Sequence, residues 1–377
     1  MVTRRFLLTA AGASAVVIGA GLGGAALLTP SVEAARAPWR EAGAGFGDPR
    51  LDALSYAVLA PSPHNRQPWL IALEGADALR VHCQLDRRLP QTDPLDRQIV
   101  IGFGAFLELL RMAAADLGYT AAIEPFPDGA PQDRLDARPV ARVQFSEGAR
   151  ERDRLFDHVL ARRTARTPFT AHLPARDVLA RVFAEPMTAA TTDPQARDAI
   201  AALCVEGWDV EHAYAPTLEE SIALTRIGAA EVNAEPDGIA LYGPAIEAAR
   251  LSGALSREAM RREGSWANRQ VHDFYVAAIS ASPAFGWLLG DGDSPLDRLD
   301  AGRRWLRLHL AATREGLGFQ PLSQVLQEFP PMADLLRRTH ALLAPGGERV
   351  HGLFRLGYAD QPAPAPRWSL RSRLTPA

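Results

Sequence analysis

Pro61-Ser62-Pro63-His64-Asn65-Arg66-Gln67-Pro68-Trp69 sets a hydroxyl and two amides between prolines, just ahead of an indole. The prolines fix φ and pre-set the turn. Ser62, Asn65 and Gln67 supply donors and acceptors that can read the edge of a planar heterocycle. The stretch therefore reads as a rigid polar loop built to hold a flat ligand. It reads equally as a helix ending at Ala60 and a Pro-rich turn whose Trp69 caps the core, and the local pattern leaves both open.

Upstream, Val17-Ile18-Gly19-Ala20-Gly21-Leu22-Gly23-Gly24 satisfies the G-x-G-x-x-G spacing of a dinucleotide-binding turn. That turn needs a strand before the glycines, a continuing helix after them and a second strand ending in an acid. Here Thr29-Pro30 ends the apolar run, and nothing resembles a second strand. Arg4-Arg5 ahead of an apolar Gly/Ala core, with small residues near Ala34 to Ala37 suited to cleavage, instead resembles a twin-arginine export signal. The expectation is a signal segment over residues 1–37 and an exported protein of the periplasm or cell envelope. If uncleaved, residues 6–28 are long enough to tether it to the membrane.

The chain has 377 residues, 47% apolar and 23% charged, with a net charge of -3, as expected for one large or two modest globular domains. Without a basic excess, nucleic acid is not an expected partner. Every cation is Arg or His; lysine is absent, which excludes Schiff-base chemistry. Cys83 and Cys204 are far apart in sequence and pair only if the fold joins them. The scattered histidines predict no metal site, and neither a G-x-S-x-G elbow nor an H-E-x-x-H motif offers a catalytic side chain.

An internal repeat is present. Pro94-Leu95-Asp96-Arg97 through Leu117-Gly118 returns roughly 200 residues later as Pro295-Leu296-Asp297-Arg298 through Leu317-Gly318. The matches Gly102 with Gly302, Phe106 with Leu306 and Leu110 with Leu310 define one helical stripe, each copy ending at a glycine. Two copies of one unit pack most simply about a pseudo-two-fold axis.

Arg162-Arg163-Thr164-Ala165-Arg166 follows a predicted helix over 151–161, and Gly316-Leu317-Gly318-Phe319-Gln320-Pro321-Leu322-Ser323-Gln324 follows the second repeat helix. With the Ser62-to-Trp69 loop, these segments resemble the nitroreductase family of FMN-dependent oxidoreductases. The family's Ser-x-x-Asn-x-Gln-Pro-Trp loop matches the first, its Arg-x-Ser-x-Lys/Arg opening the second and its Gly-Leu-Gly turn the third. The two-half arrangement and Leu89 to Pro94 resemble its Acg-like branch, over most of residues 50–367.

The resemblance implies an α+β fold of two nitroreductase-like halves, with mostly antiparallel sheets wrapped by helices, fused as a pseudo-dimer over residues 38–150 and 151–377. It implies one FMN between the halves. Pro61, Ser62, Pro63, Asn65 and Gln67 come from the first half. From the second come Arg162 and Thr164 on phosphate and ribityl oxygens, Arg166 at the ring, and Pro321, Leu322, Ser323 and Gln324 at the reactive edge. Arg367, or Arg371 in its place, completes the phosphate site. Residues 193–266 are expected to cover the flavin. The implied activity is hydride transfer from a nicotinamide, NAD(P)H, or another donor to a nitroaromatic, quinone or similar small-molecule acceptor. The alternative is a protein that holds FMN without turning it over.

Overall fold

The computed structural model describes residues 30–148 and 151–375. The expected export segment up to residue 29 lies outside the described residues.

Eleven strands are described: β1 (Trp69–Glu74), β2 (Ala78–Cys83), β3 (Tyr119–Pro125), β4 (Ala141–Glu147), β5 (Thr188–Thr191), β6 (Thr225–Ile227), β7 (Ile239–Leu241), β8 (Ala284–Gly290), β9 (Gly318–Pro321), β10 (Arg349–Gly357) and β11 (Leu374–Thr375). From the sequence, Trp69 to Leu73, Ala78 to Cys83 and Val350 to Tyr358 read as strands, and they coincide with β1, β2 and β10. The first sheet has the order β11-β1-β2-β4-β3 and the second β5-β8-β10-β9. Within each sheet all pairs are antiparallel except β1 with β11.

The two sheets repeat one topology. Two strands, a long helix and two more strands give the spatial order first-second-fourth-third in each half. In the first half, β1 and β2 are joined by a tight turn at Gly75, whose φ of 56° suits a residue without a Cβ. In the second half, residues 192–283 take the place of that turn. They form helices and the parallel pair β6 and β7, with an apolar core of their own that includes Ile222, Ile227, Leu241 and Met260. This insertion runs further than the covering segment expected over 193–266.

The repeated helices are Arg97–Asp116 and Pro295–Arg314. The first is apolar and buried on nearly every side, because it runs through the middle of the molecule; its length alone would span a membrane. Asp93 accepts the backbone N–H groups of Gln98 and Ile99 at its start (3.0 and 2.9 Å). Ser294 and Asp297 form a capping box on the second. The helices cross so closely that a Cβ on Gly104 would lie 2.0 Å from the Leu299 carbonyl oxygen, and one on Gly302 1.9 Å from that of Ile101.

Those contacts are two-fold related under a constant offset of 198, which pairs Arg97 with Pro295, Asp116 with Arg314 and Gly104 with Gly302. The expected register is thereby corrected by two residues. Gly302 answers to Gly104 rather than Gly102, and the left-handed Gly118 (φ 88°) to Gly316 (φ 70°) rather than Gly318. Pro94 lies before its helix whereas Pro295 opens one, so the shared Pro-Leu-Asp-Arg run misled the alignment.

Two crossings tie the halves together. The C-terminal tail returns to the first half, where β11 pairs with β1. The body also begins earlier than residue 38: Val32 and Ala35 are buried against Ala229, Val232 and Ala240 of the insertion, and the Ala35 carbonyl accepts the Arg367 backbone N–H at 2.8 Å.

Candidate functional site

A cavity of about 260 Å³ lies where both halves and the insertion meet. Of the residues expected to bind a cofactor, Pro61, Ser62, Pro63, Asn65, Arg162, Thr164, Arg166, Pro321, Ser323, Gln324 and Arg367 line it together. Asn65 and Arg166, remote in sequence, share this one cavity. Arg371, the alternative to Arg367, does not line it.

Gln67 and Leu322 are corrections. Leu322 is buried in the apolar core of the second half beside Val325 and Leu353. Gln67 is fully buried, and its amide is used up: Nε2 donates to the carbonyls of Asn65 (3.1 Å) and Pro236 (2.9 Å), and Oε1 accepts the Trp368 backbone N–H (2.9 Å). The side chain fastens the loop, the insertion and the C-terminal tail to one another. His64, Asn65 and Gln67 all have positive φ (45°, 53° and 48°), a conformation that costs about 1–3 kcal/mol per residue. The Ser62 hydroxyl accepts the Gln67 N–H at 2.9 Å and closes the turn.

The second wall is cationic. Arg162 is buried, donating to the Leu59 carbonyl at 2.7 Å, and Arg163 lies 4.5 Å from the Trp39 ring centre. Arg367 donates to Asn65 Oδ1 at 2.7 Å and to the Leu59 and Ala60 carbonyls. Its buried Nε has no partner. Among the described residues none of Arg162, Arg163, Arg166 or Arg367 has a carboxylate ion-pair partner, although most of the other arginines do. Burial and mutual repulsion show in their acidities: burial pulls Arg162 down to about 9 and Arg163 to about 10, and Arg367 falls well below the usual guanidinium range. Four uncompensated guanidinium groups around one cavity are a phosphate-type donor set.

Arg355 holds this wall in place. Fully buried, it donates to Gln320 Oε1 (2.6 Å) and to the carbonyls of Ala278, Ala165 and Thr167, and stacks on Phe169 at 4.2 Å. The loop carrying Thr164 and Arg166 is thus pinned to β10, and Thr164 bridges to Phe319 in β9.

The third wall is the insertion, which contributes Trp208, Glu211, His212, Phe274 and Tyr275. It is closed against the first half. Asp237 pairs with Arg66 (3.0 Å), Arg87 and Arg226 (2.7 Å), and the Glu220 carboxylate accepts the backbone N–H groups of Gln91 and Thr92 and the Thr92 hydroxyl. His64 faces the cavity; burial lowers its pKa to about 4, Arg66 and Arg166 adding to the effect, so it is neutral at pH 7.

Sequence reasoning missed Trp39, Arg163 and Glu211. Arg163 stood inside the quoted Arg-Arg-Thr run, and its neighbour Arg162 was the available signal. Trp39 followed the presumed export segment, and Glu211 is one acid among many on a helix; neither carried a signal.

No family model matches the chain. A protein of Mycobacterium tuberculosis named putative NAD(P)H nitroreductase acg is 36% identical over 178 residues, 46% of this chain and 49% of that protein. The uncharacterized protein Rv3127 of the same organism is 38% identical over 125 residues, 31% of this chain and 35% of that one. Among solved structures, the FMN-dependent nitroreductase NfnB of Mycobacterium smegmatis, in complex with NADPH, aligns over 58% of this chain and 96% of its own at 16% identity, with a TM-score of 0.35, too low to argue from. The chain spans about half the length, or less, of the curated mycobacterial relatives it matches, and over that span it is similar to proteins named putative nitroreductases.

Proposed function

We propose that the chain is an FMN-dependent oxidoreductase of nitroreductase type. The observation that carries this reading is the convergence of Asn65 and four carboxylate-free arginines on one cavity between the halves. The similarity to the mycobacterial relatives supports it. When bound, FMN supplies reversible hydride chemistry between a reduced nicotinamide and a nitroaromatic, quinone or similar acceptor.

The protein's part is placement and electrostatics. Arg162, Thr164 and Arg367 hold the phosphate and ribityl oxygens, the buried Nε of Arg367 giving that set an unused donor. Arg166 places a cation beside the ring, where it favours the reduced, anionic form. Pro61, Ser62, Pro63 and Asn65 line the cavity from the first half and would hold the ring, and Pro321, Ser323 and Gln324 line it from the second and would stand beside the acceptor. The insertion forms the third wall of the cavity.

Absorption spectra of purified protein test the reading: one flavin per chain is expected. Replacing Arg162 by Ala removes charge-assisted hydrogen bonds worth about 1.5–3 kcal/mol together with the guanidinium charge, so FMN should bind roughly 10- to 150-fold more weakly. Undiminished flavin content would sink the assignment. The latched insertion favours one second reading, a protein that holds FMN without turnover; bleaching of the yellow colour by NADPH separates the two. The same proposal places the protein in the cell envelope, exported by its N-terminal segment. Because Val32 and Ala35 are packed into the body, this reading keeps the chain from Val32 onward intact. Cell fractionation decides it.

A further inference from the structure

At the end of the cavity formed by the insertion, Glu211 is 4% exposed, and its Oε2 has no hydrogen-bond partner. It stands near the end of the helix Pro194–Ala213 and faces the amides of Gln327 and Gln324 from the turn after β9. Gln327 is also buried with an unpartnered Oε1. A carboxyl kept only to brace the fold would engage both oxygens, because an unmet buried acceptor costs about 1–3 kcal/mol. Around this polar spot the walls are aromatic: Trp208 and Tyr275 stack at 4.5 Å and 23°, and Phe274 lies beside them.

We propose that this end of the cavity is a binding subsite for a planar, uncharged aromatic carrying a hydrogen-bond-accepting oxygen, a quinone or nitroarene, and that the Glu211 carboxyl donates a hydrogen bond to that oxygen. The inference deepens the oxidoreductase reading and rests on it for what the ligand is there to do, but not for the binding itself. Flat aromatic walls select a flat ring. A buried carboxyl with a free oxygen selects against anions.

The protonation state agrees. Burial pushes the Glu211 carboxyl up to about 7, outweighing hydrogen bonds from Gln327 and Gln324, and the charge of Glu220 on the next helix adds to the rise. The adjacent His212 is shifted downward by burial, with His272 and Asp209 beyond it. The facing turn presents the neutral Gln324 and Gln327. Near neutral pH the carboxyl therefore carries its proton about half the time, and the donor is lost as pH rises.

Calorimetric titration of the purified protein with 1,4-naphthoquinone, without electron donor, tests this. Cys83 and Cys204 are buried thiols whose pKa values are pushed up by burial, so they stay protonated and do not compete for the quinone. Binding should weaken about tenfold from pH 6 to pH 8, following the protonated fraction of a group titrating near 7. Glu211→Gln, which keeps a donor but cannot titrate, should bind equally at both values. Glu211→Leu should bind about fivefold or more weakly at pH 6, the worth of one hydrogen bond. Affinity that ignores pH, that improves with pH as for a cationic ligand, or that keeps its pH profile in Glu211→Gln overturns the proposal. Flavin content, read on the same samples, separates the two ideas. Flavin-free protein with the expected quinone profile leaves the subsite standing without the oxidoreductase reading, and yellow protein lacking the profile does the reverse.

Discussion

His351 sits where β10 shifts register between Val350 and Gly352, its buried Nε2 donating to the Gly292 carbonyl at 2.9 Å while Nδ1 has no partner. Burial, and then the charge of Arg97, lowers its pKa to about 4. Above an unfolded-chain value near 6.5 the ring is neutral in both states, and its contribution to stability is fully present. Between about 6.5 and 4 only the unfolded chain takes up the proton, so acidification through this window destabilises the fold by at most about 1.4 kcal/mol per pH unit from this residue. Chemical denaturation of His351→Gln against the parent at pH 7 and pH 5 should show the variant losing less on acidification. Equal losses would refute the sign. At this scale the sequence was informative about chemistry and poor about direction. The residue types at Asn65, Arg162 and Arg367 pointed to the cavity, but spacing does not tell which way a side chain turns. In a loop with three left-handed residues, alternation fails, and Gln67 points into the protein while Asn65 lines the cavity.

The helix pair is the element on which the site depends. Ile101, Gly102 and Ala105 from one helix and Trp305 from the other line the cavity, and the crossing at Gly104 and Gly302 sets their separation. A methyl group on Gly302 would meet backbone, 1.9 Å from the Ile101 oxygen and 2.8 Å from the Gly104 Cα, so the helices must move apart. Gly302→Ala should cost about 1–3 kcal/mol, offset only slightly by its better helix propensity. Urea unfolding reads the loss, and unchanged stability would show that the crossing can relax. The repeat was legible because both helices end at glycines and share an apolar stripe. Its register was not, since a four-residue identity at one end outweighed a better match of whole elements. The strands β1, β2 and β10 announced themselves as runs of branched and aromatic residues between turn residues. The duplicated sheet did not, because the insertion parts β5 from β8 and hides the hairpin that β1 and β2 display.

On the scale of the molecule, three separate pieces close one chamber, and Asp237 is the pin through two of them. One buried carboxylate serves Arg66, Arg87 and Arg226, so Asp237→Asn leaves cations on both sides of the contact uncompensated. Breaking a buried pair costs about 3–5 kcal/mol. Trypsin should then cut first within residues 192–283, sooner than in the parent protein; cleavage that begins elsewhere at the parental rate would mean the insertion is held by other contacts. The chain's composition had indicated a globular body, and the family resemblance the pairing of its halves, but closure by ionic pins depends on contacts more than a hundred residues apart, which no local pattern encodes. One of those contacts has a temporal meaning. Asn65 takes its hydrogen bond from Arg367, 302 positions later. At roughly 5–20 residues per second a ribosome needs on the order of a quarter-minute to a minute to travel that far. During that interval the early loop exists without its clasp, so the chamber is completed late in synthesis, and whatever it captures arrives after translation has nearly finished.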